Sequence, residues 1–239
     1  MGSSAAVDHL ERQIERNLAI AARIPAEGPL RASLDRLQAW QRARLQATYA
    51  DLAASPRYGA ACEFFLDELY GGRDVHARDR QLKRIVPVMR RFLPDHLLHA
   101  TGEAMRLQAV SLEFDFELAR LLQGAEAIDQ PAYARAYREQ GGWTERRDQI
   151  ALIRSLGELL DETVRRPFVR RLVRMMRTPA EMGGVERLQR FLEHGLDSFA
   201  RMQGAKRFLD TIEARESEAL TAMQSGSDWP FEVWIGRGP

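Results

Sequence analysis

Along most of this chain apolar residues recur at intervals of three and four, and no run alternates β-branched residues with polar ones over the length of a strand. That period gathers apolar side chains on one face of a 3.6-residue helix and leaves a sheet no continuous face to bury. Glycines punctuate the pattern: Gly71-Gly72, Gly124, Gly141-Gly142, Gly183-Gly184 and Gly226 stand where helices are expected to end in a left-handed residue. The spacing predicts helices near 8–23, 30–53, 56–70, 77–92, 94–123, 130–140, 145–177, 185–202 and 205–224. Pro87 and Pro167 fall inside apolar-periodic stretches and are expected to kink or divide them.

Start signals agree with these stops. Asp8 with Glu11, and Thr178 with Glu181, have capping-box spacing, Ser55-Pro56 is a cap followed by a preset φ, and Thr144 is placed to cap the segment after Trp143. The expectation is an all-α protein: a bundle or array of about eight to ten helices packed around a central helix near 94–123. Residues 1–226 read as one helical domain. Residues 227–239, with Trp229, Phe231 and Trp234 around Pro230, read as a non-helical aromatic tail that docks back on the bundle.

Charge narrows the partners. The chain carries 35 basic and 34 acidic residues, a formal net charge of +1, so no global field draws it to nucleic acid or anionic lipid. In "RRPFVRRLVRMMR" the side chains of Arg166, Arg170, Arg174 and Arg177 share a helical face, which near-zero net charge marks as solvated surface rather than a phosphate-binding strip. No run approaches the roughly 18 apolar residues of a membrane span, and one cysteine, Cys62, allows no internal disulfide, which fits a cytoplasmic protein. Cys62 shares an arc with Tyr58, Phe65, Leu66 and Leu69 and reads as a small core residue.

The sharpest polar cluster lies in "PDHLLHATGE". At 100° per residue His96, His99 and Glu103 fall within about 60° of one another, in line with Leu107, Val110, Phe114, Leu118 and Leu121; Leu98, Met105, Leu112 and Phe116 form a second strip on the other side. Imidazole and carboxylate on an inward face suit iron or zinc, and helical bundles also hold haem, with Glu63 and Glu68 as further oxygen donors. The alternative needs no ion: Asp95 pairs with His99, and Glu103 with Arg106.

The segment "FFLDELY" resembles the signature of an uncharacterised bacterial family, the FFLEELY-motif proteins. Phe64, Phe65, Leu66, Glu68, Leu69 and Tyr70 match it, and Asp67 stands for the first glutamate. The similarity runs on through "RDRQLKRIVPVMRRFLPDHLLH" and implies a bacterial, soluble, α-helical protein, with no catalytic residues attached. Within the motif Phe64 points about 130° away from the core arc, so it needs a second packing surface or remains exposed. Phe64, Glu68 and Tyr70 are therefore candidate partner-binding residues.

No phosphate-cradling loop, nucleophile elbow, kinase signature or metalloprotease signature occurs. The leading functional expectation is a non-catalytic helical module that binds a protein partner or a small apolar ligand. The second is a metal- or haem-dependent helical-bundle enzyme using His96, His99 and Glu103.

Overall fold

The computed structural model describes residues 4–70, 86, 94–166, 168–169, 171, 173 and 186–237. Within them the chain is helical, without strands: α1 (Ala5–Arg23), α2 (Pro29–Thr48), α3 (Ala50–Ala53), α4 (Gly59–Tyr70), α5 (Asp95–Leu121), α6 (Gln130–Gln140), α7 (Trp143–Val164), α8 (Glu186–Met202), α9 (Lys206–Gln224) and α10 (Glu232–Ile235). The helix expected near 77–92 lies outside the described residues apart from Val86, as do Pro87, Pro167, the Thr178–Glu181 box and the glycine pairs at 71–72 and 183–184. Of the four-arginine face only Arg166 is described, and it is exposed.

Local chemistry shifts several helix starts. The first helix begins earlier than its expected cap: the Ser4 hydroxyl accepts from the Val7 N–H at 3.4 Å, and Asp8 falls in the first turn, where a carboxylate favours the positive helix end. Between Ser55 and Tyr58 the chain turns, and α4 opens at Gly59, where an added Cβ would lie 2.7 Å from the Ala53 carbonyl oxygen. The helix expected over 30–53 divides at Tyr49, whose φ of −111° and ψ of 21° leave the α basin. Thr144 is not the cap of α7 either. That helix starts from Gly142 at φ 72°, a left-handed conformation, and Thr144 already lies in its first turn.

Helix α5 is the centre of the array, with α1, α2, α6 and α7 packed on it. Its two apolar strips explain this. Leu98 and Met105 meet Leu10 and Ile14 of α1, Leu118 and Ala119 meet Leu34 and Leu37 of α2 with Tyr133 and Tyr137 of α6, and Leu107 meets Leu152 and Leu156 of α7. Leu121, at the end of the first strip, is the exception and stays exposed. Buried polar side chains at these contacts are bonded to backbone: Asn17 Nδ2 donates to the Met105 carbonyl and Ser33 Oγ to the Ala119 carbonyl, both at 2.8 Å.

The aromatic tail contains a short helix, α10, where none was expected. Phe231, 1% exposed, packs with Trp40 and Tyr133, and its N–H donates to Gln130 Oε1 at 2.9 Å. Gln130 Nε2 donates in turn to the Gly236 carbonyl at 2.7 Å, so one buried amide ties both ends of the tail's last turn to α6.

Candidate functional site

A pocket of about 150 Å³ lies where six helices and the tail meet. Its apolar wall comes from Leu45, Phe65, Leu66, Ile153, Phe208 and Ile212, with Phe65 and Phe208 stacked at 5.8 Å between ring centres. Its polar wall is buried, which is less common. Gln41, Arg44, Asp115 and Arg146 line the pocket and are all less than one-tenth exposed.

These groups form two clusters. In one, Glu216 Oε1 accepts from Arg44 Nη1 at 2.6 Å and from the Tyr49 hydroxyl at 2.7 Å, and the Arg44 guanidinium lies over the Phe231 ring at 4.4 Å. Burial, with Glu216 beside it, pushes the Tyr49 hydroxyl well above the ordinary phenol range, so Tyr49 stays a neutral donor.

In the other cluster Asp115 Oδ1 accepts from Gln41 Nε2 at 3.0 Å, with Gln38 Nε2 at 3.5 Å from Oδ2. Burial raises the Asp115 carboxyl above the ordinary range, opposed by the Gln41 bond and by the charge of Arg146. Arg146 itself is held between rings. Its guanidinium carbon is 3.6 Å from the centre of Phe114 and 4.1 Å from that of Tyr137, and Nη2 donates to the neutral amide oxygen of Gln140. The Arg146 Nε is buried with no hydrogen-bond partner among the described residues. A permanent cation thus lines the pocket with one donor unused and a neutral amide as its hydrogen-bond partner.

The expected metal-ligand face is rearranged. His99 and Glu103 lie close together, but the third donor is His9 of α1 rather than His96; the donor atoms of His9, His99 and Glu103 fall within 4.8 Å of one another. His96 has its Nε2 buried without a partner, and Glu63 is exposed on α4, away from this cluster. The Glu103–Arg106 pair is present at 3.3 Å, whereas Asp95 accepts from the Ser4 hydroxyl at 3.2 Å.

Phe64 finds its second packing surface. It is 6% exposed, edge-on to His194 of α8 at 5.4 Å between ring centres, and it covers Gly195, where an added Cβ would meet its Cζ at 2.8 Å. A ring covered in this way is internal packing, not an open partner-binding surface. The side chains of Glu68 and Tyr70 lie outside the described residues. Cys62 is buried, as its arc implies, and it lines the pocket.

The pocket was missed in the sequence although a signal for it existed. The buried stripe of α2 reads Leu34, Leu37, Gln41, Arg44, Thr48: the three-to-four spacing continues while the residues turn polar. Asp115 likewise interrupts the buried arc that carries Leu118, Ala119 and Leu122. A core stripe that becomes polar in mid-helix marks a buried polar site.

A family model described as "Domain of unknown function (DUF8198)" matches residues 21–230. No curated protein and no solved structure matches the chain.

Proposed function

Because the chain belongs to that family of unknown function, we propose its role from the pocket: a non-catalytic helical module that binds a small, mainly apolar carboxylic acid. The observation that carries this reading is Arg146, 5% exposed, lining the pocket with an unused Nε donor. A guanidinium matches a carboxylate in shape and charge, and rings on either side of it exclude water from such a pair. Burial favours the neutral form of the Asp115 carboxyl, and the other pocket carboxylate, Glu216, is bonded to Arg44 and Tyr49, so neither is hydrogen-bonded to Arg146. The volume, about 150 Å³, is that of a ligand with about six to ten non-hydrogen atoms.

On this reading the FFLEELY-like segment belongs to a bacterial, cytoplasmic protein and supplies pocket wall through Phe65 and Leu66. Residues 1–226 form the binding domain, and the tail contributes Phe231 to the pocket. Calorimetric titration with benzoate, phenylacetate and hexanoate, against toluene and benzamide as neutral counterparts, tests it. Binding of one or more acids that is lost in Arg146→Met supports the proposal. Equal binding of acids and neutral counterparts, or binding of neither, overturns it.

A further inference from the structure

We infer that His9, His99 and Glu103 form a zinc-binding site joining α1 to α5, separate from the pocket and unrelated to the ligand proposed for it. Two imidazoles and one carboxylate are donors of borderline softness, and a set of three leaves a fourth tetrahedral position for water. The donor atoms already lie within 4.8 Å of one another without rearrangement of either helix.

An ordinary His–Glu ion pair accounts poorly for this cluster. His9 Nε2 lies 2.7 Å from Glu103 Oε1, yet the approach lacks hydrogen-bond geometry, and Nε2 is a buried nitrogen with no hydrogen-bond partner. A buried acceptor–donor pair at that distance normally aligns, because misalignment forfeits the bond and keeps the desolvation cost. A metal ion accommodates the arrangement differently, since each donor then points at the ion and not at its neighbour.

The surroundings suit this role. His9 rests over Gly102, where an added Cβ would come within 2.5 Å of its Cδ2, so the absence of a side chain at 102 sets the imidazole's seat against α5. The other oxygen of Glu103 faces Arg106 Nη1 at 3.3 Å, which orients the carboxylate as an outer partner of a metal ligand does. His99 is exposed, giving the ion a path from solvent. His9 precedes the matched residues 21–230, so the third donor comes from outside the segment that defines the family.

The test uses full-length protein without an affinity tag, stripped by chelator and titrated with Zn²⁺, with Co²⁺ as a spectroscopic substitute. One equivalent is expected to bind, with visible cobalt bands and a higher melting temperature in zinc. His99→Ala carries the decision because His99 is exposed, and the variant's melting temperature is expected to match that of metal-free wild type. That variant and Glu103→Gln should each weaken zinc binding at least about tenfold, and His96→Ala should leave it unchanged. Absence of binding to folded wild-type protein, or binding that His99→Ala does not weaken, overturns the site. Neither outcome bears on the carboxylate pocket, which Arg146→Met tests alone.

Discussion

The guanidinium of Arg146 is packed between the rings of Phe114 and Tyr137, its carbon 3.6 Å from one ring centre and 4.1 Å from the other. Its Nη2 donates to the neutral amide of Gln140, so the fold carries a desolvated cation with no carboxylate as its hydrogen-bond partner among the described residues. Replacing such a charge by an apolar group of similar length is neutral or stabilising, whereas truncating it leaves a hole between two rings. Arg146→Met is therefore expected to melt at or above the wild-type temperature, and Arg146→Ala to lose about 2–3 kcal/mol. Chemical denaturation of both variants checks this; an Arg146→Met protein as unstable as Arg146→Ala would show that the charge itself holds the fold.

Asp115 gives the pocket a pH signature. Burial raises its folded-state value above the ordinary 3.8, with Gln41, Arg146 and Gln38 opposing the shift. In the window above 3.8 the folded state then binds more protons than the unfolded state, so this group's contribution falls as pH rises. Asp115→Asn keeps an oxygen for Gln41 and removes the titration. Urea unfolding from pH 4 upward should show the variant gaining stability relative to wild type as pH increases. A difference that stays constant with pH would mean that Asp115 titrates normally.

How far the fold and the pocket were legible follows from what periodicity encodes. The pattern of apolar positions locates α5 and its two packed sides, because burial of Leu98 and Leu118 depends only on helical spacing. It misplaces the starts of α1, α4 and α7, which depend on single contacts such as the Ser4 hydroxyl on Val7 N–H. His99 and Glu103 were visible as one face, being one turn apart. Their third donor was not, since His9 is brought to them by the packing of α1 on α5 and no local spacing records that. The same holds for Arg44 and Glu216, which meet at 2.6 Å across 172 positions of sequence.

Two helix-interior glycines separate packing from propensity. An added Cβ at Gly157 would lie 2.3 Å from Leu209 Cδ2 and 3.2 Å from its Cγ, and Leu209 is fully buried. At Gly102 the obstacle is the His9 ring, the far end of a partly exposed side chain. Helix propensity favours alanine over glycine by about 1 kcal/mol at both sites. Gly157→Ala should nevertheless destabilise by about 1–2 kcal/mol, while Gly102→Ala should cost little stability and weaken zinc binding. Melting temperatures and zinc titration of the pair check the contrast; equal stability losses would contradict it.

Cys62 is a reporter already in the pocket wall. Burial, with a smaller contribution from Asp51, pushes its thiol up to about 11. At pH 8 about one thiol in a thousand is then ionised, and only the thiolate attacks a disulfide reagent. Reaction with an aromatic disulfide should be slow in native protein, at least about a hundredfold slower than in urea. A bound carboxylic acid should slow it further. A native rate matching the denatured one would place the thiol in solvent.

Phe231 decides whether the tail is part of the bundle. The ring is fully buried among Trp40, Tyr133 and the Arg44 guanidinium, whereas Val233, two residues on, is 79% exposed. Removing the Phe231 side chain leaves its N–H free to keep the bond to Gln130, so Phe231→Ala isolates packing from hydrogen bonding. A cavity of that size costs about 3–5 kcal/mol, roughly 10 °C in melting temperature for a chain of this length. Val233→Ala, on the same short helix, should change stability by no more than about 0.5 kcal/mol. Because Phe231 also lines the pocket, its truncation should speed the reaction of Cys62, which no exposed tail would influence. Equal melting of the two variants together with an unchanged Cys62 rate would mean that the tail does not dock on the bundle in solution.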